Sequence, residues 1–305
     1  MGTVTFDLLT IGEAMAVASP DPPRPLNQGP RLALGVAGAE ANVAAYLARL
    51  GRSVAYVARI GADPFGELIS SFLAASGVAC FLEVCPDVPT GVYFKDPSPA
   101  GTRVHYYRAG SAASTMDSSV WSQPWAARIV HLSGITPALS SSCAALVAHG
   151  LAARPVAGAL YSFDVNYRSR LWPVSRAATE LATLANQADL VFVGLDEATT
   201  LWGARTPGEV RDVLPKCATL VVKDGAVGAT SFGSTGAVFV PAPSVDVVEP
   251  VGAGDAFAAG YLFGVLHGVR EEDRLRLGHA LAAVALTTVG DVGAVPPPDI
   301  LLAAL

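Results

Sequence analysis

Short apolar runs alternate with longer amphipathic segments along most of the 305-residue chain. Short runs that end at glycine or asparagine are typical of buried strands, and long alanine-rich stretches are typical of helices. This alternation predicts a mostly parallel sheet with crossover helices on both faces. The predicted strands are Asp7–Ile11, Ser53–Ile60, Ile129–Ser133, Tyr161–Val165, Leu190–Val193, Leu220–Lys223 and Ser244–Val248. The predicted helices are Ala39–Leu50, Pro64–Ser76, Ser140–Ala153, Arg176–Gln187, a start at Glu197–Gly203, Ala256–His267 and Arg274–Thr288.

Two stretches break the alternation and predict a small β-structured lid rather than a second domain. Residues 14–34 are rich in proline and turn residues, and residues 83–114 contain the strand patterns Thr90–Lys95 and Arg103–Ala109. Neither stretch has a helical period, and both lie between strand–helix units. We therefore expect one α/β domain over residues 1–305, with three α/β/α layers and a lid inserted from about 14–34 and 83–114.

Composition narrows the classes of partner. Hydrophobic residues make up 51% of the chain and charged residues 15%, so a large core is available. The net charge of −6, without a stripe of lysine or arginine, does not favour nucleic acid. No apolar run approaches the length of a membrane span, and the N-terminus does not have the pattern of a signal peptide. We expect no membrane partner and a cytoplasmic location.

Cysteines and histidines do not predict a structural metal. Cys80, Cys85, Cys143 and Cys217 lack both metal-ligand spacing and a disulfide framework, so reduced thiols are the interpretation. The five histidines contain neither an HxH nor an HExxH pattern. A magnesium ion that arrives with a nucleotide stays possible, because such an ion needs few protein ligands.

The segment from Glu249 to Asp255, with the sequence EPVGAGD, carries the clearest chemical signal. Its two glycines allow the backbone to approach a phosphate closely. The amides that open the following helix favour negative charge, and the carboxylate of Asp255 can accept a proton from a hydroxyl. This combination is suited to moving a phosphoryl group onto an alcohol. The alternative is a tight turn in which Asp255 serves only as the helix N-cap.

Other polar residues follow the predicted strands at their carboxyl ends, where open α/β sheets bind ligands. Because these ends meet at one edge of the sheet, the side chains are expected to converge. The residues are Gly38, Asn42, Asp164, Asn166, Arg168, Glu197, Lys223 and Asp255.

Over almost its whole length the chain resembles the ribokinase-like (PfkB-type) sugar kinases. The segments VAGAEANVAAYLARLG and VAYVARIGADPFG are similar to the first signature of that family, and VEPVGAGDAFAAGYLFG is similar to the second. Within the family the chain is most similar to 2-keto-3-deoxygluconate kinases. That similarity rests on GVYF, YYRAGSAAS, HLSGITPALS and DVNYRSRLW.

The resemblance implies roles for particular residues. Asp255 matches the catalytic base, and the amides of Gly252, Ala253 and Gly254 match the anion hole. Gly38 and Asn42 match positions that hold sugar hydroxyls, and the match to the keto-acid site covers Tyr93, Tyr106, Arg108 and Arg168. The implied nucleotide positions are Glu197, which helps to place the magnesium phosphate, Lys223, Gly225, Gly228 and His279. The implied cosubstrate is ATP, with Mg²⁺.

Three departures from the family pattern affect these assignments. Ala37 replaces the first glycine of a pair, which is a small change. Gly194 stands where many relatives carry asparagine, which weakens the phosphate contact expected there. Glu249 replaces an aspartate in a loop that is linked to a monovalent cation in some relatives. Dependence on potassium is therefore left open.

The residues themselves support a sugar acid as substrate. An arginine can bind a carboxylate through two parallel hydrogen bonds, and Arg108 and Arg168 are the candidates. Each candidate also has a structural alternative. The alternatives are an ion pair with Asp164 for Arg168, a solvated strand position for Arg108, lid packing for Tyr93 and Tyr106, a helix-start acid for Glu197, a surface position for His279 and a turn position for Asn166.

The resulting hypothesis is an ATP-dependent kinase that phosphorylates the terminal hydroxyl of 2-keto-3-deoxygluconate. The rival hypotheses are a kinase for a neutral sugar such as fructose or ribose, or for a nucleoside, and a catalytically silent binding protein. A dehydrogenase is disfavoured because no GxGxxG follows an early strand. Since the lid offers unpaired strand edges, we also expect a homodimer through the lid.

Overall fold

The computed structural model describes residues 5–98, 101–288, 290, 292–303 and 305. Its strands are β1 Phe6–Ile11, β2 Met15–Pro20, β3 Leu32–Ala37, β4 Val54–Gly61, β5 Ala79–Cys85, β6 Val92–Ser98, β7 Gly101–Tyr107, β8 Ala127–Ser133, β9 Leu160–Asp164, β10 Leu190–Gly194, β11 Thr219–Asp224, β12 Gly228–Gly233 and β13 Gly236–Pro241. Its helices are α1 Ala39–Arg49, α2 Pro64–Ala75, α3 Ser141–Ala153, α4 Val174–Ala185, α5 Leu195–Trp202, α6 Pro207–Val213, α7 Ala253–His267, α8 Glu271–Leu286 and α9 Pro298–Ala303. Across the described ranges, no helix is both long enough and apolar enough to cross a bilayer.

A nine-stranded central sheet forms the middle layer of the α/β/α fold, in the order β13-β12-β11-β10-β9-β8-β1-β4-β5. Every pair from β11 to β5 is parallel, and β12 and β13 add an antiparallel hairpin at one edge. Its inner strands β1, β4 and β8 to β11 are almost continuously apolar and mostly buried, as expected for a sheet covered on both faces. The predicted mostly parallel α/β architecture is confirmed.

The carboxyl ends of β1 and β8 to β11 define the edge of the sheet where the chain departs into loops. β1 has β4 on one side and β8 on the other, so the connections diverge at this strand. Such a divergence opens a crevice at the carboxyl ends, where open α/β sheets bind ligands. The polar residues singled out from the sequence therefore meet on one side of the molecule.

A separate four-stranded sheet has the order β3-β2-β6-β7. β2 pairs antiparallel with β3 and parallel with β6, and β6 pairs antiparallel with β7. Met15, Val17, Ala37 and Tyr93 form a small apolar cluster of their own beneath it. Since these side chains do not join the main core, the small sheet is a distinct layer over the sheet edge.

The segment before α7 differs from the sequence prediction. Ser244–Val248 was predicted as a strand, and this is wrong, because the segment pairs with no described strand. Instead, the amides of Val248 and Glu249 donate to the carbonyl of Leu286 at 2.8 and 3.2 Å. The apolar pattern misled the prediction, since Val247 and Val248 are each 58% exposed.

Close helix packing fixes the position of α7. A Cβ on Gly260 would lie 2.3 Å from the carbonyl oxygen of Leu277, so α7 and α8 approach each other at backbone distance. All residues from Ala256 to Gly264 on α7 are buried. The helix that begins at the glycine turn is therefore packed tightly into the core.

Candidate active site

A cavity of about 340 Å³ lies between the carboxyl ends of the central strands and the small sheet. We call it the site cavity. It brings together residues from the central sheet, the small sheet and the start of α7. The predicted site residues that line it are Gly38, Asn42, Tyr93, Tyr106, Arg108, Asn166, Arg168, Glu197, Lys223, Gly252, Gly254 and Asp255.

The remaining predicted site residues lie outside this lining. Asp164 is buried behind it, and Ala253 sits between the two lining glycines. Gly225 follows β11 directly, and Gly228 is the first residue of β12. His279 is buried, with Nε2 3.1 Å from the carbonyl oxygen of Val240, so the alternative of a surface position for His279 is wrong.

Asp255 is the third residue of α7, and the helix starts three residues earlier than the sequence predicted. The N-cap is Gly252, whose φ of 84° lies in the left-handed region that glycine adopts without strain. The alternative in which Asp255 is merely the N-cap is therefore wrong. The first turn of α7 presents its free amides and the Asp255 carboxylate to the same cavity.

Two carboxamides hold the Asp255 carboxylate from opposite elements. Nδ2 of Asn42 on α1 donates to Oδ2 of Asp255 at 2.8 Å, and Nδ2 of Asn166, just after β9, approaches Oδ1 at 3.4 Å. Asn166 has a φ of 39°, a conformation that asparagine tolerates better than most residues. The amide oxygens of both asparagines are buried without a hydrogen-bond partner among the described residues. They are free to accept hydrogen bonds from hydroxyl groups.

Burial raises the pKa of Asp255 to about 7, and the hydrogen bond from Asn42 opposes that rise only in part. The negative charge of Asp164 raises it further, while Arg168 and Lys223 lower it. A carboxylate with a pKa near neutrality can both accept and hold a proton at physiological pH. Desolvated carboxyls of this kind are typical of catalytic bases.

A charge cluster lines the floor of the cavity beside Asp255. Nζ of Lys223 lies 2.9 Å from Oδ2 of Asp164, so Asp164 pairs with Lys223 and the alternative Asp164–Arg168 ion pair is wrong. Burial disfavours the Lys223 ammonium, but the surrounding carboxylates outweigh that effect and raise its pKa. A Cβ on Gly254 would lie 3.5 Å from Nζ of Lys223, which is an ordinary van der Waals distance, so the ammonium lies directly beside the glycine turn.

Glu197 and Arg168 form the more open part of this cluster. Burial raises the pKa of Glu197, and the charge of Asp164 adds to that rise. Oε2 of Glu197 accepts a hydrogen bond from the amide of Gly194 at 3.1 Å, so the residue also caps its own helix. Nη1 of Arg168 is 3.5 Å from Oε1 of Glu197, and its side chain is 46% exposed. The guanidinium therefore retains donors that face the cavity.

Arg108 is held from behind by a buried acid. It forms an ion pair with Glu13, and the two side chains are 9% and 0% exposed. Ser111 Oγ donates to the same carboxylate at 2.6 Å. The alternative in which Arg108 is a solvated strand residue is therefore wrong. The guanidinium is fixed in direction, and Glu13 compensates part of its charge.

Two tyrosines of the small sheet face the cavity from neighbouring strands. Tyr93 on β6 and Tyr106 on β7 are directly paired, with ring centroids 5.4 Å apart. Tyr93 is 4% exposed and Tyr106 is 38% exposed. The Arg108 guanidinium lies 5.7 Å from the centroid of the Tyr106 ring. The rings therefore both pack within the small sheet and wall the cavity.

Sequence reasoning missed Glu13, which comes two residues after β1 at the carboxyl edge of the sheet. The rule that found Asn166 and Glu197 applies equally to this position and could have found it. It also missed the role of Lys95, whose buried ammonium pairs with Glu249 at 2.7 Å. That contact joins residues far apart in the chain, so no local pattern indicates it.

The arrangement of a desolvated base, a glycine turn with free amides and paired cations is suited to phosphoryl transfer. A family profile described as "pfkB family carbohydrate kinase" matches residues 5–297. The chain belongs to the pfkB family of carbohydrate kinases. The predicted membership is thus confirmed, and with it the class of enzyme.

Two relatives and one solved structure show how similar other pfkB kinases are. The chain is 35% identical over 300 residues to a 2-dehydro-3-deoxygluconokinase of Bacillus subtilis, covering 95% of this chain and 93% of that protein. It is 36% identical over 308 residues to a 2-dehydro-3-deoxygluconokinase of Thermoproteus tenax, covering 96% and 92%. A crystal structure described as a PfkB protein from Polaromonas sp. superposes with a TM-score of 0.86 at 32% identity, covering 98% of this chain and 100% of that one.

Within the described part of the chain, no group of three or more His, Cys, Asp or Glu side chains is placed to hold a metal ion. Oδ1 of Asp164 is nevertheless buried without a hydrogen-bond partner among the described residues, and the Glu197 carboxylate lies in the same charge cluster. A magnesium ion that is bound mainly by nucleotide phosphates and water needs only a few oxygen ligands from the protein. The donor set thus fits a nucleotide-borne Mg²⁺.

Proposed function

We propose that this pfkB kinase uses ATP to phosphorylate the terminal hydroxyl of a sugar acid, 2-keto-3-deoxygluconate. The observation that carries the proposal is that Arg168, with donors facing the cavity, and the desolvated base Asp255 line one cavity. A sugar acid has a carboxylate at one end and a primary hydroxyl at the other. The two relatives named as 2-dehydro-3-deoxygluconokinases support the same substrate class.

In this proposal the two ends of the substrate are recognised by different chemistry. The carboxylate meets Arg168, which retains donors, with Arg108, Tyr93 and Tyr106 completing that end. The unpaired amide oxygens of Asn42 and Asn166 accept hydrogen bonds from hydroxyl groups near Asp255. Gly38 lines the same cavity. The terminal hydroxyl is thereby directed to the base.

Asp255 accepts the proton of the terminal hydroxyl as the hydroxyl oxygen attacks the γ-phosphorus of ATP. The bond between the γ-phosphorus and the β–γ bridging oxygen breaks, and ADP leaves with that electron pair. The amides of Gly252, Ala253 and Gly254 and the positive end of α7 stabilise the charge on the transferred group. Lys223, held by Asp164, adds a fixed positive charge beside Gly254. Glu197 and Asp164 would help to hold a Mg²⁺ ion that arrives with the nucleotide, and this ion would neutralise phosphate charge. We further propose that Gly225, Gly228 and His279 belong to the region that contacts the nucleotide.

We propose that the small sheet, with the loops around it, is a lid over the active site. The lid consists of about residues 14–34 and 83–114 and belongs to a single domain. By covering the site cavity, it would exclude water and limit hydrolysis of ATP.

We also propose that two copies associate through their lids. Reduced cysteines and use of ATP agree with a cytoplasmic location.

One observation favours a second candidate, a kinase for a neutral sugar such as fructose. Glu13 compensates the charge of Arg108, so the cavity has fewer uncompensated cations than two arginines suggest. A neutral substrate would then meet Arg168 only through its hydroxyl groups. The distinction depends on whether a carboxylate improves the substrate.

An ADP-release assay over a matched panel tests the proposal. The panel contains 2-keto-3-deoxygluconate, its C4 epimer 2-keto-3-deoxygalactonate, fructose, ribose and adenosine, each with ATP and Mg²⁺. We expect a keto-acid to give the highest kcat/KM, and the product to carry phosphate on the terminal carbon by ³¹P NMR. A higher kcat/KM with fructose or ribose would support the second candidate instead.

A further inference from the structure

Lys95 and Glu249 form a buried ion pair between the small sheet and the segment that leads into the glycine turn. Nζ of Lys95 lies 2.7 Å from Oε1 of Glu249, and the side chains are 4% and 14% exposed. Lys95 is on β6, whereas Glu249 comes three residues before Gly252, the N-cap of α7. The pair therefore connects the lid directly to the anion-binding turn.

The direction of Lys95 follows from strand geometry. Side chains alternate along a strand, so Tyr93 and Lys95 share one face of β6, while Phe94 and Asp96 share the other. Tyr93 lines the site cavity, and Phe94 and Asp96 line a separate cavity on the outer side. Lys95 therefore points from the lid towards the site.

Glu249 is fixed on its other side by the end of α8. Its Oε2 accepts a weak hydrogen bond from the amide of Gly290 at 3.4 Å, and its own amide donates to the carbonyl of Leu286 at 3.2 Å. The next two residues, Pro250 and Val251, line the site cavity before the turn at Gly252. Movement of the Glu249 carboxylate would therefore shift the segment that places the anion-binding amides.

Stability alone does not account for such a pair. Burying two charges is costly, and replacing a buried ion pair by apolar side chains of similar volume is often neutral or stabilising. Two of the three lysines in the chain form largely buried ion pairs in this region, Lys223 with Asp164 and Lys95 with Glu249. Because an ion pair is directional, the pair of Lys95 and Glu249 fixes where Glu249 lies relative to β6, which an apolar contact would not do.

We propose that Lys95 is a positioning residue that acts through Glu249 to align the anion-binding turn when the lid covers the site. This inference rests on the proposed kinase function and adds a second role for the lid beyond excluding water. Phosphoryl transfer is then efficient only when the lid covers the site, because the Lys95 side chain on the lid aligns the anion-binding turn. The affinity for sugar depends on other residues and changes little.

The test compares four variants with the wild type. Lys95→Met and Glu249→Gln each break the pair, and Lys95→Met/Glu249→Met removes both charges together so that neither is left buried alone. Lys216→Met is the matched control, because this lysine is exposed. Steady-state kcat and KM are measured with the best sugar of the panel, so the comparison does not depend on which sugar that is. Melting temperatures and hydrogen exchange of the amides of 251–254 are measured alongside.

We expect Lys95→Met to lower kcat by about 10- to 100-fold, the scale of a small misplacement of reacting groups, with the sugar KM within about threefold of wild type. The double variant is expected to recover its melting temperature but not its kcat, and its 251–254 amides should exchange faster. The control should match the wild type. Recovery of both stability and kcat in the double variant, with unchanged exchange, would show a purely structural pair and overturn the inference.

The proposed function and this inference fail in different ways. A wild type that prefers a neutral sugar contradicts the sugar-acid assignment, yet the variants still differ from it in kcat. A wild type that releases no ADP with any sugar contradicts the kinase proposal. In that case the hydrogen-exchange rate of the 251–254 amides is the remaining test of the role of Lys95. Equal exchange rates in the wild type and the double variant would overturn that role.

Discussion

At the scale of single residues, the site depends on a balance of buried charges around Asp255. Three carboxylates, those of Asp164, Glu197 and Asp255, share the cations Lys223 and Arg168. Burial raises the pKa of Asp255, and the two asparagines orient its carboxylate. A carboxylate with a raised pKa that is not neutralised by a direct ion pair is suited to the role of base proposed for Asp255.

Replacing Asp255 by asparagine is expected to abolish most turnover while preserving the fold. The change is nearly isosteric and removes the basic group, and general-base catalysis typically contributes ~10²–10⁴-fold to the rate. We expect kcat to fall by that factor while ATP affinity, measured by calorimetry, stays within a few-fold of wild type. A variant that retains near wild-type kcat would remove Asp255 from the mechanism.

The pH dependence follows from the same residue. Only the deprotonated form of Asp255 accepts a proton, and its pKa is raised to about 7. We therefore expect kcat/KM to increase with pH through the range around 7 and then to level off. Initial rates between pH 5.5 and 9, with substrate well below KM, measure this profile. A profile that is flat below pH 7 would contradict the raised pKa.

At the scale of secondary structure, local patterns predicted the buried parallel strands and most helices because those elements carry long apolar runs. The same patterns did not predict β2, β3 or β5 as individual strands. β2 and β3 flank a proline-rich stretch, and β5 is an edge strand with mixed exposure. None of these three strands shows a clear alternation of apolar and polar residues in the sequence. Convergence of site residues was predictable from strand ends, whereas the Glu13–Arg108 and Lys95–Glu249 pairs were not, because each depends on tertiary packing.

A substitution at the junction between β3 and α1 tests whether the position of α1 determines where the Asn42 side chain lies. A Cβ on Gly38 would lie 2.3 Å from the carbonyl oxygen of Glu13, so Gly38→Ala must displace the start of α1. We expect a lower melting temperature and a sugar KM raised about tenfold or more, since Asn42 lies on the first turn of α1.

Gly208→Ala is the control for that substitution, because the nearest atom to its Cβ would be 4.0 Å away. Alanine is a better helix former than glycine, so this variant is expected to be neutral or slightly more stable. Equal KM values for the two variants would show that the position of α1 does not govern sugar binding.

At the scale of the whole molecule, the small sheet presents apolar side chains to solvent on its outer strands. Leu34 on β3 is 58% exposed and Tyr107 on β7 is 68% exposed. Exposed apolar residues beside unpaired strand edges favour association with another sheet. Phe239 on β13, at one edge of the central sheet, is also 53% exposed, so that edge is the alternative surface for association.

We expect a homodimer that forms through the lids. Sedimentation equilibrium at micromolar concentration should give twice the chain mass of 31.2 kDa. Leu34→Glu/Tyr107→Glu should shift the protein to monomer, whereas Val227→Glu, at an equally exposed position away from the lid, should not. A wild-type mass of one chain at this concentration would contradict the dimer.

The central claim is that the cavity selects a carboxylate, and the most direct measurement is the effect of Arg168→Ala on two substrates. We expect kcat/KM for 2-keto-3-deoxygluconate to fall roughly 30- to 1000-fold, the scale of losing a charge-assisted contact of about 2–4 kcal/mol, while kcat/KM for fructose changes far less. Arg168→Lys should restore only part, because an ammonium cannot make two parallel hydrogen bonds to a carboxylate. An equal loss for both substrates, with fructose the better one for the wild type, would contradict the sugar-acid assignment.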